Sequence, residues 1–255
     1  TRRLNGNVTE CMEIRRASDS TLTTIGFDSN GDIDEAAIET FCTGTTCTVY
    51  CWKDQSGNSN DAIAAAPANE PTIYTGGELV KENGKLALDF VGNKVLQKSI
   101  NWTPRSIFLL TQTNGTGGQQ QSILRKGSNP TDRFIYRFNS TGNSYLALNA
   151  GYSNLNFSST VGTKYLFSNN LDGGTKTLRV NGVLTGTTSG TLGASTTDTL
   201  YIGKYSNENL NGIVQEITFY SSVKSSSNTT SIEENIGDYF TQNTPLLDTY
   251  SGAAA

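Results

Sequence analysis

Short runs that alternate apolar with polar residues, broken by Asn-Gly, Gly-Gly or Asp-Gly pairs, constrain this chain more than any other feature of it. Lys176-Thr177-Leu178-Arg179-Val180-Asn181 is representative, because side chains two apart share a face and such a run buries one side while wetting the other. Asn30-Gly31, Asp172-Gly173 and Asn181-Gly182 supply the positive φ that tight hairpins need. The pattern predicts strands over Thr9–Arg15, Thr21–Phe27, Thr48–Lys53, Lys85–Phe90, Ser106–Thr111 and Ser122–Arg125. It continues with Arg133–Phe138, Tyr145–Asn149, Tyr165–Asn169, Thr175–Val180, Thr199–Gly203 and Ile213–Tyr220. Two helices are predicted, Asp34–Phe41 with Asp34 as N-cap, and Thr230–Phe240 with Ile232, Ile236 and Phe240 on one stripe. Many short strands with hairpin turns predict an all-β, two-sheet jelly-roll sandwich. No composition break divides the 255 residues, so one sandwich domain over residues 1–245 is expected, with Thr185–Thr197 as a loop between strands.

Composition removes several function classes. Charged residues make up 16%, the net charge is -4 and the pI is about 5.0, which leaves no basic surplus for a nucleic-acid backbone. No apolar run reaches membrane-spanning length and the mean hydropathy is -0.39, so no membrane insertion is expected. The chain has no histidine, which removes Ser-His and Cys-His catalysis and leaves carboxylates as the acid–base groups. It begins at Thr1 and its one methionine is Met12, so a processed precursor is expected, from export-signal cleavage or from a longer polypeptide.

Cys11, Cys42, Cys47 and Cys51 all lie in the first fifth of the chain. The predicted disulfides are Cys42–Cys47, closing a small Thr/Gly loop, and Cys11–Cys51, between two strand-like runs. Zinc is the rival reading, which C-x4-C beside C-x3-C spacing disfavours. Disulfides imply an oxidising setting, hence a secreted or virion-surface protein.

Polar and aromatic residues offer further candidates. Asp54, Asn58, Asn60 and Asp61 form a candidate Ca²⁺ site, and no other cofactor is expected. The rival, preferred reading is an Asx-rich turn whose side chains bond local amides. Asp28–Asp34 superficially resembles a calcium loop, but its glycine stands fourth instead of sixth, which favours a hairpin turn. Trp52, Trp102, Tyr136, Tyr145, Tyr152, Tyr165, Tyr201 and Tyr205 are candidates for sugar stacking or for ordinary core packing, the second being preferred.

Thr175–Gly182, Leu200-Tyr-Ile-Gly-Lys204 and Leu210–Tyr220 together resemble the final strands of laminin-G-like, concanavalin A-like sandwiches, a likeness of fold that hosts many functions. Phe41-Cys42-x4-Cys47 and Trp52-Lys-Asp-Gln-Ser-Gly-Asn-Ser-Asn-Asp61 are similar to the fungal-type α-L-arabinofuranosidase catalytic domain and to related domains of bacterial and viral surface proteins. That resemblance implies glycoside hydrolysis by a Glu nucleophile and an Asp acid/base. Where it leads to the acid/base the chain reads Gly203-Lys204-Tyr205-Ser206-Asn207, and Asp132–Phe138 offers no Glu for the nucleophile. On that ground the chain is expected not to be an enzyme.

Members of the resembled family begin with a strand of the form Asp-x-Tyr-x-Gly-Ala-Ala-Ala, which here comes last. The resemblance therefore implies a displaced strand over residues 246–255, donated to a neighbouring subunit or closing the same sandwich. The favoured expectation is a structural subunit of an extracellular or virion-surface filament, its partners copies of itself joined head to tail. Its contact residues would be Leu246, Leu247, Asp248, Thr249, Tyr250, Ser251, Gly252, Ala253, Ala254 and Ala255. The first alternative is a carbohydrate-binding adhesion module that holds a surface glycan through Trp102, Tyr152 and Tyr205. The second is an arabinofuranosidase-like hydrolase.

Overall fold

The computed structural model describes residues 1–115, 120–126, 134–138, 143–148, 153–172, 174–189 and 196–240. The chain opens with β1 (Glu10–Arg16), β2 (Leu22–Gly26), helix α1 (Glu35–Phe41), β3 (Cys47–Trp52), β4 (Ala62–Ile63) and, after a 3₁₀ turn, β5 (Thr72–Thr75). Next come β6 (Glu78–Leu79), β7 (Lys81–Glu82), β8 (Lys85–Leu86), β9 (Leu88–Asp89), β10 (Leu96–Ile100), β11 (Ser106–Thr113) and β12 (Gln121–Lys126). β13 (Phe134–Phe138), β14 (Asn143–Leu148), β15 (Ser153–Ser158), β16 (Lys164–Asp172), β17 (Thr175–Val180) and β18 (Val183–Ser189) form successive hairpins. β19 (Asp198–Ile202), β20 (Lys204–Tyr205), β21 (Glu208–Asn209), β22 (Gly212–Tyr220) and helix α2 (Ser226–Phe240) complete the fold.

The result is all-β with two helices, as the alternation predicts. Eighteen strands share one antiparallel hydrogen-bonded network that doubles over at the short strand β4, which pairs with both β3 and β10. One layer runs β10-β19-β12-β13-β14-β15. The other runs β2-β1-β3-β5-β9-β22-β11-β16-β17-β18. Aromatic rings join them: Phe138 of β13 and Phe157 of β15 both pack on Phe167 of β16, at centroid distances of 6.3 and 4.8 Å. The Tyr136 hydroxyl donates to Asn169 across the same core, so Tyr136, like Tyr165, is interior and presents no sugar platform.

α1 follows the prediction, since the Asp34 carboxylate accepts the Ala37 amide proton at 2.9 Å. α2 starts four residues before its predicted Thr230, because Ser225 supplies the cap: its Oγ accepts from the Asn228 amide at 3.2 Å. Thr229, Glu233, Ile236 and Phe240 form its buried stripe, which covers Phe108, Leu110 and Leu166. Ile232, predicted for this stripe, is only half-buried, and its neighbour Glu233 takes the buried position. Glu233 sits in that stripe because Arg179 of β17 reaches it, Nε at 2.9 Å from Oε1 and Nη2 at 3.0 Å from Oε2. The strands at Leu96–Ile100, Ser153–Ser158 and Val183–Ser189 were not predicted, and the first part of the expected Thr185–Thr197 loop belongs to the last of them. β18 is an edge paired in ladder with β17 alone and polar along most of its length, so no apolar alternation marks it. The predicted terminal strand, residues 246–255, lies outside the described residues.

The Cys42–Cys47 disulfide is present, and it fits an oxidising compartment. Cys11 and Cys51 are free and buried, which corrects the second predicted bond. Cys51 faces Glu13, while the Lys53 amide donates to the Cys11 carbonyl at 3.0 Å, so the two thiols are diagonal neighbours on adjacent strands. Diagonal positions stand roughly 7–8 Å apart, beyond ordinary disulfide reach. Burial pushes the Cys51 thiol up to about 11 and raises Cys11 as well, so little thiolate exists at pH 8. Native protein at pH 8 is therefore expected to resist a thiol reagent, and unreduced protein in denaturant to titrate two thiols; finding none in denaturant would restore the Cys11–Cys51 bond. Glu233→Ala strands the Arg179 guanidinium against α2 and should cost about 3 kcal/mol in a urea melt.

Candidate functional site

On the outer face of the β10-β19-β12-β13 layer, the antiparallel register places Arg125 opposite Tyr201 on one side and Ile135 on the other. Ile202 ends β19, and Gly203 turns the chain at φ +90° into the β20–β21 hairpin, where Tyr205 pairs with Glu208. The Gly203 amide donates to the Ile123 carbonyl at 2.8 Å and its carbonyl accepts from Leu210 at 2.7 Å, which folds the hairpin back over β12. Any Cβ at Gly203 would overlap the buried Phe90 ring, so only glycine fits. Ser206 takes φ +56° in the two-residue turn.

This hairpin assembles a polar and aromatic cluster. The Arg125 guanidinium lies over the Tyr205 ring, 3.2 Å from its centroid, and Tyr201 meets Tyr205 edge to face at 5.5 Å. Arg137 of β13 donates through Nη2 to both Glu208 oxygens, at 2.6 and 2.5 Å. The Glu208 side chain keeps 23% of its surface exposed, so the pair remains open to solvent on one side. Two arginines, two tyrosines and a carboxylate meet here, Arg125 buried and the other four half-buried, and together they match the requirements of a sugar, whose C–H faces stack on rings and whose hydroxyls bond to charged groups.

A cleft of about 1200 Å³ lies elsewhere, between the start of the chain, β22 and α2. Trp52, Trp102, Ile217 and Phe219 line it half-buried, with Trp102 edge-on to Phe219 at 5.6 Å. Its charged groups are already committed. Arg2 grips Glu216 with Nε at 2.8 Å and Nη2 at 3.0 Å, and Asp54 is absorbed in its own turn. Asp54 accepts the Ser56 amide at 2.9 Å, the Ser56 hydroxyl at 2.7 Å and the Asn60 amide at 3.0 Å. Those bonds hold its carboxyl below the usual range against the opposing effect of burial. Asp61 accepts the Asp54 amide at 2.8 Å and lies 3.4 Å from the Lys53 ammonium, while Asn58 donates to Ser56. Asp54 and Asp61 thus turn carboxylate oxygens onto the loop itself, and no cluster of three or more metal-ligating acidic, Cys or His groups occurs among the described residues. Asp28–Asp34 is likewise a hairpin turn: Asp28 accepts the Asn30 and Asp32 amides at 2.8 and 3.0 Å, with Gly31 at φ +85°.

Of the predicted sugar-contact residues, the structure puts Tyr205 in the outer-face cluster and Trp102 in the cleft, and Tyr152 lies outside the described residues. The Tyr145 side chain is also outside them. Glu208 escaped sequence reasoning because it stands one residue past Gly203–Asn207; the signal available was the Ser206-Asn207 pair, which closes a hairpin and returns the next side chain beside Tyr205.

Residues 1–123 match the family model described as the catalytic domain of α-L-arabinofuranosidase B. The chain is similar to an enzyme. Over 64 residues it is 45% identical to α-L-arabinofuranosidase B of Emericella nidulans, and over 56 residues 43% identical to that of Aspergillus niger. These stretches cover 24% and 22% of this chain and 12% and 11% of those enzymes, so the shared part is a small fraction of either relative. A GH54 α-L-arabinofuranosidase soaked with 4-nitrophenyl α-L-arabinofuranoside superposes with a TM-score of 0.69 at 17% identity, covering 100% of this chain and 64% of that one. An arabinofuranosidase complexed with arabinofuranosyl-α-1,2-xylobiose gives 0.66 at 17% identity, covering 92% and 60%. At such identity the structural likeness establishes the β-sandwich fold alone. The catalytic-domain match overturns the expectation of a filament subunit partnered with copies of itself, and with it the expectation that the chain is no enzyme. That expectation rested on two missing carboxylates, a point-by-point argument that a match across 123 residues outweighs.

No helix among the described residues is long and apolar enough to cross a membrane. Gly203→Ala is expected to lower stability by about 2 kcal/mol or more through overpacking against Phe90 and a disfavoured φ, read as a lower urea midpoint.

Proposed function

We propose that this domain is a secreted glycoside hydrolase acting on α-L-arabinofuranosides, with its sugar site on the outer face around Arg125, Arg137, Tyr201, Tyr205 and Glu208. The observation that carries the reading is the match of residues 1–123 to an arabinofuranosidase catalytic model. The cluster adds chemistry to it: Glu208 stands directly after the segment where the resemblance leads to an acid/base carboxylate. Glycoside hydrolysis uses one carboxyl group to give a proton to the leaving oxygen and a second to attack or to activate water. Glu208, an acceptor on both oxygens, would take the proton of the attacking water, Arg137 would fix its orientation, and Tyr205, stacked on Arg125, would meet the sugar ring. Asp132, the acidic residue just before β13, lies outside the described residues.

The test is release of 4-nitrophenolate from 4-nitrophenyl α-L-arabinofuranoside. Turnover by the intact chain, reduced at least roughly a hundredfold in Glu208→Gln with an unchanged thermal melt, is expected. Absence of turnover in the intact chain overturns the reading. A second reading, sugar binding without turnover, is favoured by one specific contact, the grip of Arg137 on both Glu208 oxygens, which leaves that carboxylate as a fixed hydrogen-bond acceptor. It is separated from the first by saturable arabinoside binding that Tyr205→Ala abolishes while no product forms.

A further inference from the structure

Among the described residues, the cleft beside α2 borders a sheet edge that carries no strand partner over Glu216–Tyr220. β22 pairs with β11 along its whole length on one side. On its other side, among the described residues, it pairs in ladder only with β9, at Ile213 and Val214. Glu216–Tyr220 therefore present backbone donors and acceptors along an edge that faces the cleft, and edges of this kind are normally covered or paired. The same wall carries Ile217 and Phe219, and Trp52 and Trp102 also line the cleft, all half-buried. A free sheet edge next to half-covered aromatic rings selects an extended, apolar segment with small residues and few charges.

We propose that residues 246–255 of the same chain occupy this cleft as a strand added to β22. Leu246, Leu247 and Tyr250 supply apolar side chains, Gly252–Ala255 are small, and Asp248 is the segment's one charged side chain. The connection is long enough. Ile236 of α2 lines the cleft and stands one helical turn before Phe240, where α2 ends. A turn is about 5.4 Å, whereas residues 241–245 span up to roughly 17 Å, so the chain can reverse and enter from α2's end. The strand then screens the rings from water and completes the ladder of Glu216–Tyr220 without a second molecule.

Trp52 and Trp102 are the two tryptophans of the chain, and both line the cleft, so intrinsic fluorescence reports on its occupancy. The full chain, at concentrations where its native mass is that of a monomer, is compared with a version ending at Asn243. The full chain is expected to show blue-shifted emission shielded from acrylamide, and slow hydrogen exchange at residues 246–255. The truncated chain is expected to show a red shift and severalfold stronger quenching, both reversed by adding a peptide of residues 245–255. Free exchange of residues 246–255 in the monomer overturns the proposal, as does tryptophan that stays open to acrylamide in the full chain. Protection that arises only in species larger than a monomer overturns it too, since the occupant is then another copy. Exchange in the intact chain decides the matter even where the truncated version does not fold.

Discussion

The strand Ser106–Thr113 is buried on both faces along all eight of its residues, and much of the architecture follows from that burial. A central strand of this kind needs a layer on each side. The aromatic core shared with β13, β15 and β16 supplies one, and α2 supplies the other through Ile236 and Phe240 over Phe108 and Leu110. Because α2 must lie there, its buried stripe is fixed, Glu233 is carried inside, and an arginine from β17 has to meet it. The opposite flank of α2 is then left to wall the cleft with Ile232 and Asn235.

Buried glutamates recur with the same solution. Glu70 accepts from Arg15 at 2.8 Å and from the Thr48 hydroxyl at 2.5 Å, and Glu216 is held by Arg2. In each case the partner lies far away in sequence, so the pair forms only when the layers are correctly stacked. An ion pair in such a place adds little net stability over a well-packed apolar pair, yet a misregistered strand would leave a charge unpaired. Arg2 also donates to the Asn235 carbonyl at 3.3 Å and lies 4.9 Å from the Tyr239 ring, which ties the first residues of the chain to the last helix.

The outer-face cluster and the cleft divide two tasks that the sequence presents together. Both hold aromatic residues, but Tyr201 and Tyr205 combine with arginines and a half-buried carboxylate, while Trp52 and Trp102 line a cleft beside committed charges and a sheet edge unpaired among the described residues. The proposed sugar site uses the first setting and the proposed added strand the second. The catalytic-domain resemblance was legible in Phe41–Cys47 and Trp52–Asp61 because those residues build a disulfide loop and an Asx turn from local bonds. The carboxylate was not legible, because Glu208 gains its neighbours from β13, some seventy positions away in sequence.

What the sequence determined by itself is what short-range chemistry controls: alternating strands, glycine-bearing turns, the Asp34 cap, the Cys42–Cys47 loop and the all-β class. Strand register, by contrast, is set where distant segments meet. Register made Cys11 and Cys51 diagonal instead of opposed, put Arg125 across from Tyr201, and buried Glu233 against Arg179. Polar strands such as Val183–Ser189 were equally silent, since their partner and not their own pattern makes them strands. Local propensity fixes each element, and the pairing of layers decides which side chains meet, so the candidate site existed in the sequence only as separate parts.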